Sequence, residues 1–378
     1  MSLNNFEIIL HKVINYNLLK ASIPFFLLFI ILEIIFLGFH QTKIRFNNTI
    51  NNISAGLIQQ LSGILVLNSI TLITYIKIQN IVSFLNFELF NVQQKILMLF
   101  LLFFLVDFCY YLFHMFSHKI NIFWAAHIVH HQSEDYNLST ALRQSSFQVC
   151  YSWIFYVPIA VIGYPFKWFI TMKSINLVYQ FWIHTECIKK LPKYIEFFFN
   201  TPSHHRVHHG SNSKYLDKNH GGILIIWDRI FGSFQEEEEK VNYGITTGLQ
   251  SWNPIWAQCH YFFEIYQMSK KLNSFSHKIK IWIKQPGWAE THLKKTEAKN
   301  KVHHHKKYNP KIDHKSKYLA FLLFFISLIC SYMFLNHSND HKMRILLAIS
   351  MLVLLYLTGK ILEKGINYKK KSHLLRDT

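Results

Sequence analysis

The sequence predicts an all-α, multi-pass transmembrane helical bundle, with a cytoplasmic histidine-rich helical cap holding a two-metal site. Three observations predict it. The 378 residues are 51% hydrophobic and 16% aromatic yet carry a formal net charge of +19. Apolar runs of spanning length recur along the chain. The 23 histidines gather in clusters at helical spacing. Lipid-embedded spans with basic loops toward the anionic leaflet combine such features easily, and a soluble fold rarely does. The basic residues are spread over loops and tails, not gathered on one patch of a soluble fold, which argues against nucleic acid as a partner.

About 18–20 nearly uncharged residues suffice for a span. The runs at 21–39, 53–76 and 96–113 meet that requirement, with Glu33, Gln59, Gln60, Asn68 and Asp107 as polar interruptions. The runs at 147–163 and 168–183 contain Pro158 and Lys173 and flank Pro165. They predict a tight helical pair that enters the membrane only part way. The runs at 318–335 and 345–362 predict a closing hairpin. The chain thus divides into N-terminal membrane helices (1–95), a catalytic domain (96–290), a basic linker (291–317) and a C-terminal hairpin with a basic tail (318–378). The apolar stretch 221–227 is expected to pack on the core or lie at the membrane surface.

The first twenty residues lack the apolar core and small-residue cleavage site of a secretory signal, so the first span is expected to remain in the protein. Lys369, Lys370 and Lys371 place the tail in the cytoplasm. The basic region 189–317 shares that side across an even number of spans, and so does the histidine segment. The membrane would be that of the endoplasmic reticulum in a eukaryote or the inner membrane in a bacterium. Cys109, Cys150 and Cys330 lie in apolar runs and read as small buried hydrophobes, since no Cys-x-x-Cys pair occurs. His303, His304 and His305 belong to a solvated basic run. The four glutamates at 236–239 form a solvated acidic turn or helix face.

The remaining clusters carry chemistry. His114 and His118, four apart at the end of the third span, share one helix face. Asp107 lies two turns earlier on that face. An acid inside a span is costly and usually has a partner, so Asp107 is expected to accept the second ring N–H of a ligand histidine. His127, His130 and His131 repeat the spacings three and four. The same pattern returns at His208 and His209, with His205 (spacing three) or His204 (spacing four) as its first member, and His205 is preferred because it repeats the second cluster. His184 closes the fifth apolar run. Neutral imidazole binds iron, copper, zinc and nickel. One ion takes about four to six ligands, so eight histidines in three clusters suit two ions, and His184 adds a ninth. Glu134, Asp135 and Arg143 follow the second cluster and are candidates to bind a polar head group or an organic cofactor.

These clusters resemble the signature of the fatty acid hydroxylase (sterol desaturase) superfamily. The phrases Trp124-Ala125-Ala126-His127, Gln180-Phe181-Trp182-Ile183-His184-Thr185-Glu186 and Ile225-Ile226-Trp227-Asp228-Arg229-Ile230-Phe231-Gly232 are similar to its alkylglycerol monooxygenase branch. So are the stretches 133–145 and 200–210. The resemblance, covering roughly residues 50–290, implies a di-iron centre, O2 and tetrahydrobiopterin. It implies a lipid substrate hydroxylated at the ether-linked carbon of an alkylglycerol, which collapses to a fatty aldehyde and a glycerol derivative. The implied iron ligands are His114, His118, His127, His130, His131, His205, His208 and His209. Lys119 departs from the family, which places a glutamate directly after the second histidine.

No Rossmann glycine fingerprint or P-loop occurs, and no haem or flavin domain is evident, so an external electron donor is expected: a reduced pterin or a redox protein. A sterol, fatty acid or carotenoid hydroxylase or desaturase fed by a redox protein is the alternative within the superfamily. A metal-binding or transport membrane protein is the alternative outside it. Transporters place their ligands near the bilayer midplane on broken spans, whereas these clusters sit at span ends and in loops. Zinc could replace iron in a recombinant preparation, because imidazole accepts both.

Overall fold

The computed structural model describes residues 18–40, 44–63, 68–291, 307–336 and 340–366. The central part of the basic linker with His303, His304 and His305, and the tail with Lys369, Lys370 and Lys371, lie outside the described residues. The described chain is helical, with no strand and two isolated bridges, Phe199 to Leu224 and Gly210 to Tyr243.

The main helices are α1 (Leu18–Phe39), α2 (Phe46–Ser62), α3 (Asn68–Val82), α4 (Val92–Lys119), α5 (Asn121–His131) and α6 (Phe166–Trp182). They are followed by α7 (Pro202–His208), α8 (Pro254–Lys271), α9 (Phe275–Ile283), α10 (His314–Asn336) and α11 (His341–Lys364). Among the described residues, four helices are long and apolar enough to cross a membrane: α1, α4, α10 and α11.

The span expected at 53–76 is corrected. The chain there forms two helices, α2 and α3, and α2 lies inside the protein. Its first turns carry Asn47, Asn48, Asn51 and Asn52, all buried. Hydrocarbon would leave these amides unsatisfied. Instead Asn48 and Asn52 donate to Ser133 Oγ at 2.8 and 3.1 Å, and Asn51 donates to the Trp252 carbonyl at 2.6 Å. The apolar flank of α2 (Ile50, Leu57, Leu61) packs on Trp252 and the α10–α11 hairpin through Phe324, Met351 and Leu355. So α2 ties the hairpin to the cap.

The expected pair at 147–183 is present as helices. Its first member breaks into Val149–Ser152, a tighter turn Trp153–Tyr156 and Val157–Ile162. Gly163 then stops it at φ +106°, a conformation that favours glycine. The second member is α6. Tyr75 of α3, Leu102 and Val106 of α4, Ile159 of the Val157–Ile162 helix and Phe169 of α6 share one core. Cys109 is buried, but Cys150 is exposed, contrary to the sequence expectation.

Glu33, the blemish in the first span, is buried. It accepts the Leu138 N–H at 2.6 Å and the Thr185 hydroxyl, next to His184. Burying a carboxylate is tolerable when it is so bonded, and the contact anchors α1 to the cap.

Candidate metal centre

Four helices deliver nine histidines to one buried place. His114 and His118 come from the last turns of α4. His127, His130 and His131 come from the end of α5. His184 follows α6, and His205, His208 and His209 come from α7 and its C-terminal cap. They divide into two sets whose ligand nitrogens lie within 4.8 Å of one another: His114, His118, His127, His131 and His208 in the first, His130, His184, His205 and His209 in the second.

The division follows from helix geometry. Successive residues on a helix point roughly 100° apart, so adjacent His130 and His131 serve different sets, and so do His208 and His209. His127 and His131, four apart, stay together. The two sets adjoin: His130 and His131 ring centroids are 5.5 Å apart, and those of His131 and His209 4.5 Å.

Most of these rings are fixed from behind by an oxygen acceptor. His114 Nδ1 donates to the His220 carbonyl at 2.8 Å, His130 Nδ1 to the Arg143 carbonyl at 2.9 Å, His184 Nδ1 to the Gln180 carbonyl at 2.7 Å and His208 Nδ1 to the Lys218 carbonyl at 2.8 Å. His118 Nδ1 lies 3.5 Å from the Asp217 carboxylate. Such partners set the tautomer and leave Nε2 free for a metal. The Nε2 atoms of His118, His208 and His209 are buried without any hydrogen-bond partner. Buried polar atoms are seldom left so. Other Nε2 atoms crowd each other, as His205 and His184 do at 2.9 Å and His114 and His127 at 3.0 Å. All-imidazole sets with orphaned, converging nitrogens fit iron or a similar divalent ion. Trp124 walls the first set, 4.9 Å from His118. Tyr136 walls the second, 5.2 Å from His209, and donates its hydroxyl to the Ile183 carbonyl at 3.0 Å.

Burial, reinforced by neighbouring imidazoles, holds His127, His131, His184, His205, His208 and His209 well below the usual histidine range. Burial pushes His130 down to about 4. The rings are thus neutral at pH 7, the form that binds metal. A histidine kept neutral by folding lets the unfolded chain bind more protons below about pH 6.5, so the stability it confers is present above that pH and lost on acidification. Melting of the metal-free protein in detergent should therefore fall steeply between about pH 6.5 and 4. A flat profile across that window would contradict neutral burial.

The expectation for Asp107 is corrected. Asp107 does not touch a ligand histidine. Its oxygens accept from Ile223 N at 2.7 Å, Leu224 N at 3.1 Å, Trp227 Nε1 at 2.9 Å and Asn176 Nδ2 at 2.6 Å. It anchors the apolar stretch 221–227, which packs on the core beside His220, whose carbonyl orients His114. The first member of the third cluster is His205; His204 turns away, 3.4 Å from the Glu196 carboxylate. Glu134 and Asp135 are engaged by Arg45 at 2.8 Å each, with Tyr308 N on Glu134 and Lys307 on Asp135. Arg143 is buried among Val129, Asn51, Asn52 and Gln132. All three thus join α2, the linker's end and the cap through these contacts. Lys119 is exposed at the end of α4.

The sequence reading missed the stretch 217–220, which backs three histidines of the first set. Asp217 and Asn219 adopt positive φ, +57° and +55°. Asn219 is held by the His204 and Gln235 carbonyls at 3.0 and 2.7 Å, and Asp228 accepts His220 N at 2.8 Å and Gly221 N at 2.7 Å. A lone histidine in a loop gave no periodic signal. Next to it, a Cβ on Gly222 would meet Asn176 Nδ2 and Tyr110 Cδ1 at 2.8 Å and Asp107 Oδ1 at 2.9 Å. Gly222→Ala should cost about 1–3 kcal/mol by overpacking. It should also weaken metal binding about tenfold by shifting the carbonyl behind His114. Melting and chelator competition check both.

Comparison with known proteins shows what the chain is similar to. Residues 99–233, the segment that carries the histidines, match the family model described as fatty acid hydroxylase. Over 272 residues the chain is 44% identical to alkylglycerol monooxygenase of Homo sapiens, covering 71% of this chain and 59% of that protein. Alkylglycerol monooxygenases of Danio rerio (44% over 274 residues) and Xenopus tropicalis (42% over 270 residues) match over the same shares. The chain thus spans 59% of the length of these relatives and is alkylglycerol monooxygenase-like over that extent. No solved structure matches it.

Proposed function

We propose that this protein is an O2-dependent di-iron membrane monooxygenase that hydroxylates a lipid, with the ether-linked carbon of an alkylglycerol as its target and tetrahydrobiopterin as its electron donor. The observation that carries the reading is the pair of adjoining all-imidazole sets, built where α4 meets the cap. The likeness to alkylglycerol monooxygenases adds the substrate class.

Bound there, the iron pair would supply O2 activation and transfer of one oxygen atom to carbon. The chain's own residues do the rest. The nine histidines hold the metals, and the carbonyls of Gln180, Arg143, Lys218 and His220 keep four rings in the ligating tautomer. Trp124 and Tyr136 close the sides and exclude water. The alkyl chain reaches the centre from the bilayer, between spans, with its head group at the cytoplasmic surface. The hydroxylated ether carbon then collapses to a fatty aldehyde and a glycerol derivative.

Purified protein loaded with iron, given an alkylglycerol, O2 and tetrahydropterin, should release fatty aldehyde. Turnover with a reduced redox protein but none with pterin would overturn the donor and point to a sterol or fatty acid hydroxylase. Lack of metal uptake would overturn the reading as a whole.

A further inference from the structure

Helix α9 carries apolar residues on its outer side. Ile281 is buried and packs with Ala125, Ile265 and Leu272, so one side of the helix rests on the core. Phe275, Ile279 and Ile283 are 78%, 50% and 58% exposed. Their spacing of four turns about 40° per step, so they form one narrow stripe roughly opposite Ile281. Lys278 and Lys280, both exposed, stand about 100° to either side of Ile279, and exposed Lys284 follows the last turn. Between residues 265 and 289 there are five lysines and no Asp or Glu. An apolar stripe with lysines on both flanks suits a helix lying in the plane of a lipid surface. The lysine stems run over apolar surface while the ammonium heads stay at the phosphates.

The place of α9 in the fold agrees. The Asn121 N–H donates to the Lys284 carbonyl at 3.0 Å, and Asn121 Nδ2 donates to the Ile281 carbonyl at 2.8 Å. These bonds fix the last turn of α9 to the end of α4, a helix long and apolar enough to span. Phe116, the last apolar residue of α4, precedes Asn121 by five positions. That is about 8 Å of helical rise, about the depth of one head-group layer. Ile122, beside Asn121, is exposed as well.

We propose that α9 is an interfacial helix that seats Phe275, Ile279 and Ile283 at the acyl boundary and gathers anionic lipid through Lys278, Lys280 and Lys284. Its partner is the anionic leaflet of the membrane that α4 crosses. A second copy of the chain is a poorer fit, because a symmetric contact would bring the lysines of two α9 helices together. The assignment goes beyond the proposed reaction and does not depend on the metal centre.

The full-length protein with photoreactive p-benzoylphenylalanine in place of Ile279 tests it. The protein is reconstituted in nanodiscs of equal parts phosphatidylcholine and phosphatidylserine with matched acyl chains, irradiated, and its adducts are weighed. Lipid adducts should form, with phosphatidylserine favoured at least about threefold. Lys278→Gln, Lys280→Gln and Lys284→Gln together should return that ratio to about one. Ile283 takes the label if the protein labelled at 279 fails to reconstitute. No lipid adduct, a cross-link to a second copy of the chain, or a lipid ratio indifferent to the three lysines would overturn the proposal and leave the two-metal reading untouched.

Discussion

His208→Ala is expected to cost at least about a hundredfold in metal affinity at the first site, and to abolish lipid oxidation with it. Loss of an outer partner alone typically costs 10- to 100-fold, and His208 contributes a nitrogen that is buried, unpartnered and within reach of four other imidazoles. The substitution also leaves Lys218's carbonyl without its donor. Because metals bound there would join α4, α5 and α7, the cap should loosen along with metal loss. Metal content per chain, measured with product formation, decides the matter. A variant that retains two metals and full turnover would remove His208 from the site. His204→Ala is the matched control: it is equally buried but lies on Glu196, outside both sets, so metal content should stay at the wild-type level.

Arg143→Met should cost about 3–5 kcal/mol, the usual toll of breaking a buried charged network from one side. The guanidinium donates to Val129 O at 2.7 Å, Asn51 Oδ1 at 2.6 Å, Asn52 Oδ1 at 3.3 Å and Gln132 Oε1. Burial pushes it down to about 9, which still leaves it charged at pH 7. Methionine fills the volume but orphans acceptors, each costing roughly 1–3 kcal/mol. Lysine should not rescue it, since one ammonium cannot reproduce the planar fork. Melting in detergent should drop by on the order of 10 °C. The metal site should follow, because Arg143 holds the carbonyl of Val129 and offers its own to His130. An unchanged melting temperature would show that α2 does not depend on this residue.

Much of the centre was legible in the sequence because helices translate spacing into direction. His114 and His118, and the two three-histidine clusters, needed only the helical repeat to be seen as convergent. Spacings of four and three both return near one face, and the repeat of the second cluster favoured His205 over His204. Contacts decided it, since Glu196 captures His204. Likewise, hydropathy found the four spanning helices, but it overcounted at 53–76. A window average cannot register that the asparagines of α2 are matched by Ser133 and Trp252, far away in the chain.

The charged residues show the limit most clearly. Glu134, Asp135 and Arg143 sit beside the second cluster in sequence, which invited a binding role. In space they meet Arg45, Lys307, Asn51 and Asn52, and bond them. Asp107 lies on the histidine face of α4, yet its carboxylate is taken by the backbone of 223 and 224. Such partners are set by long-range packing, which no local pattern encodes.

The sequence by itself determined that this is a helical membrane protein with enough imidazole, at the right periodicity, for two metals. Hydrophobic runs and helical spacing are local properties, and they survive any arrangement of the helices. Tertiary structure alone decided which histidines share a site, that α2 is an internal tie and not a span, and that the stretch 217–220 backs three rings of the first set. Those are outcomes of which surfaces meet, fixed by the need to partner every buried polar group once the helices have packed.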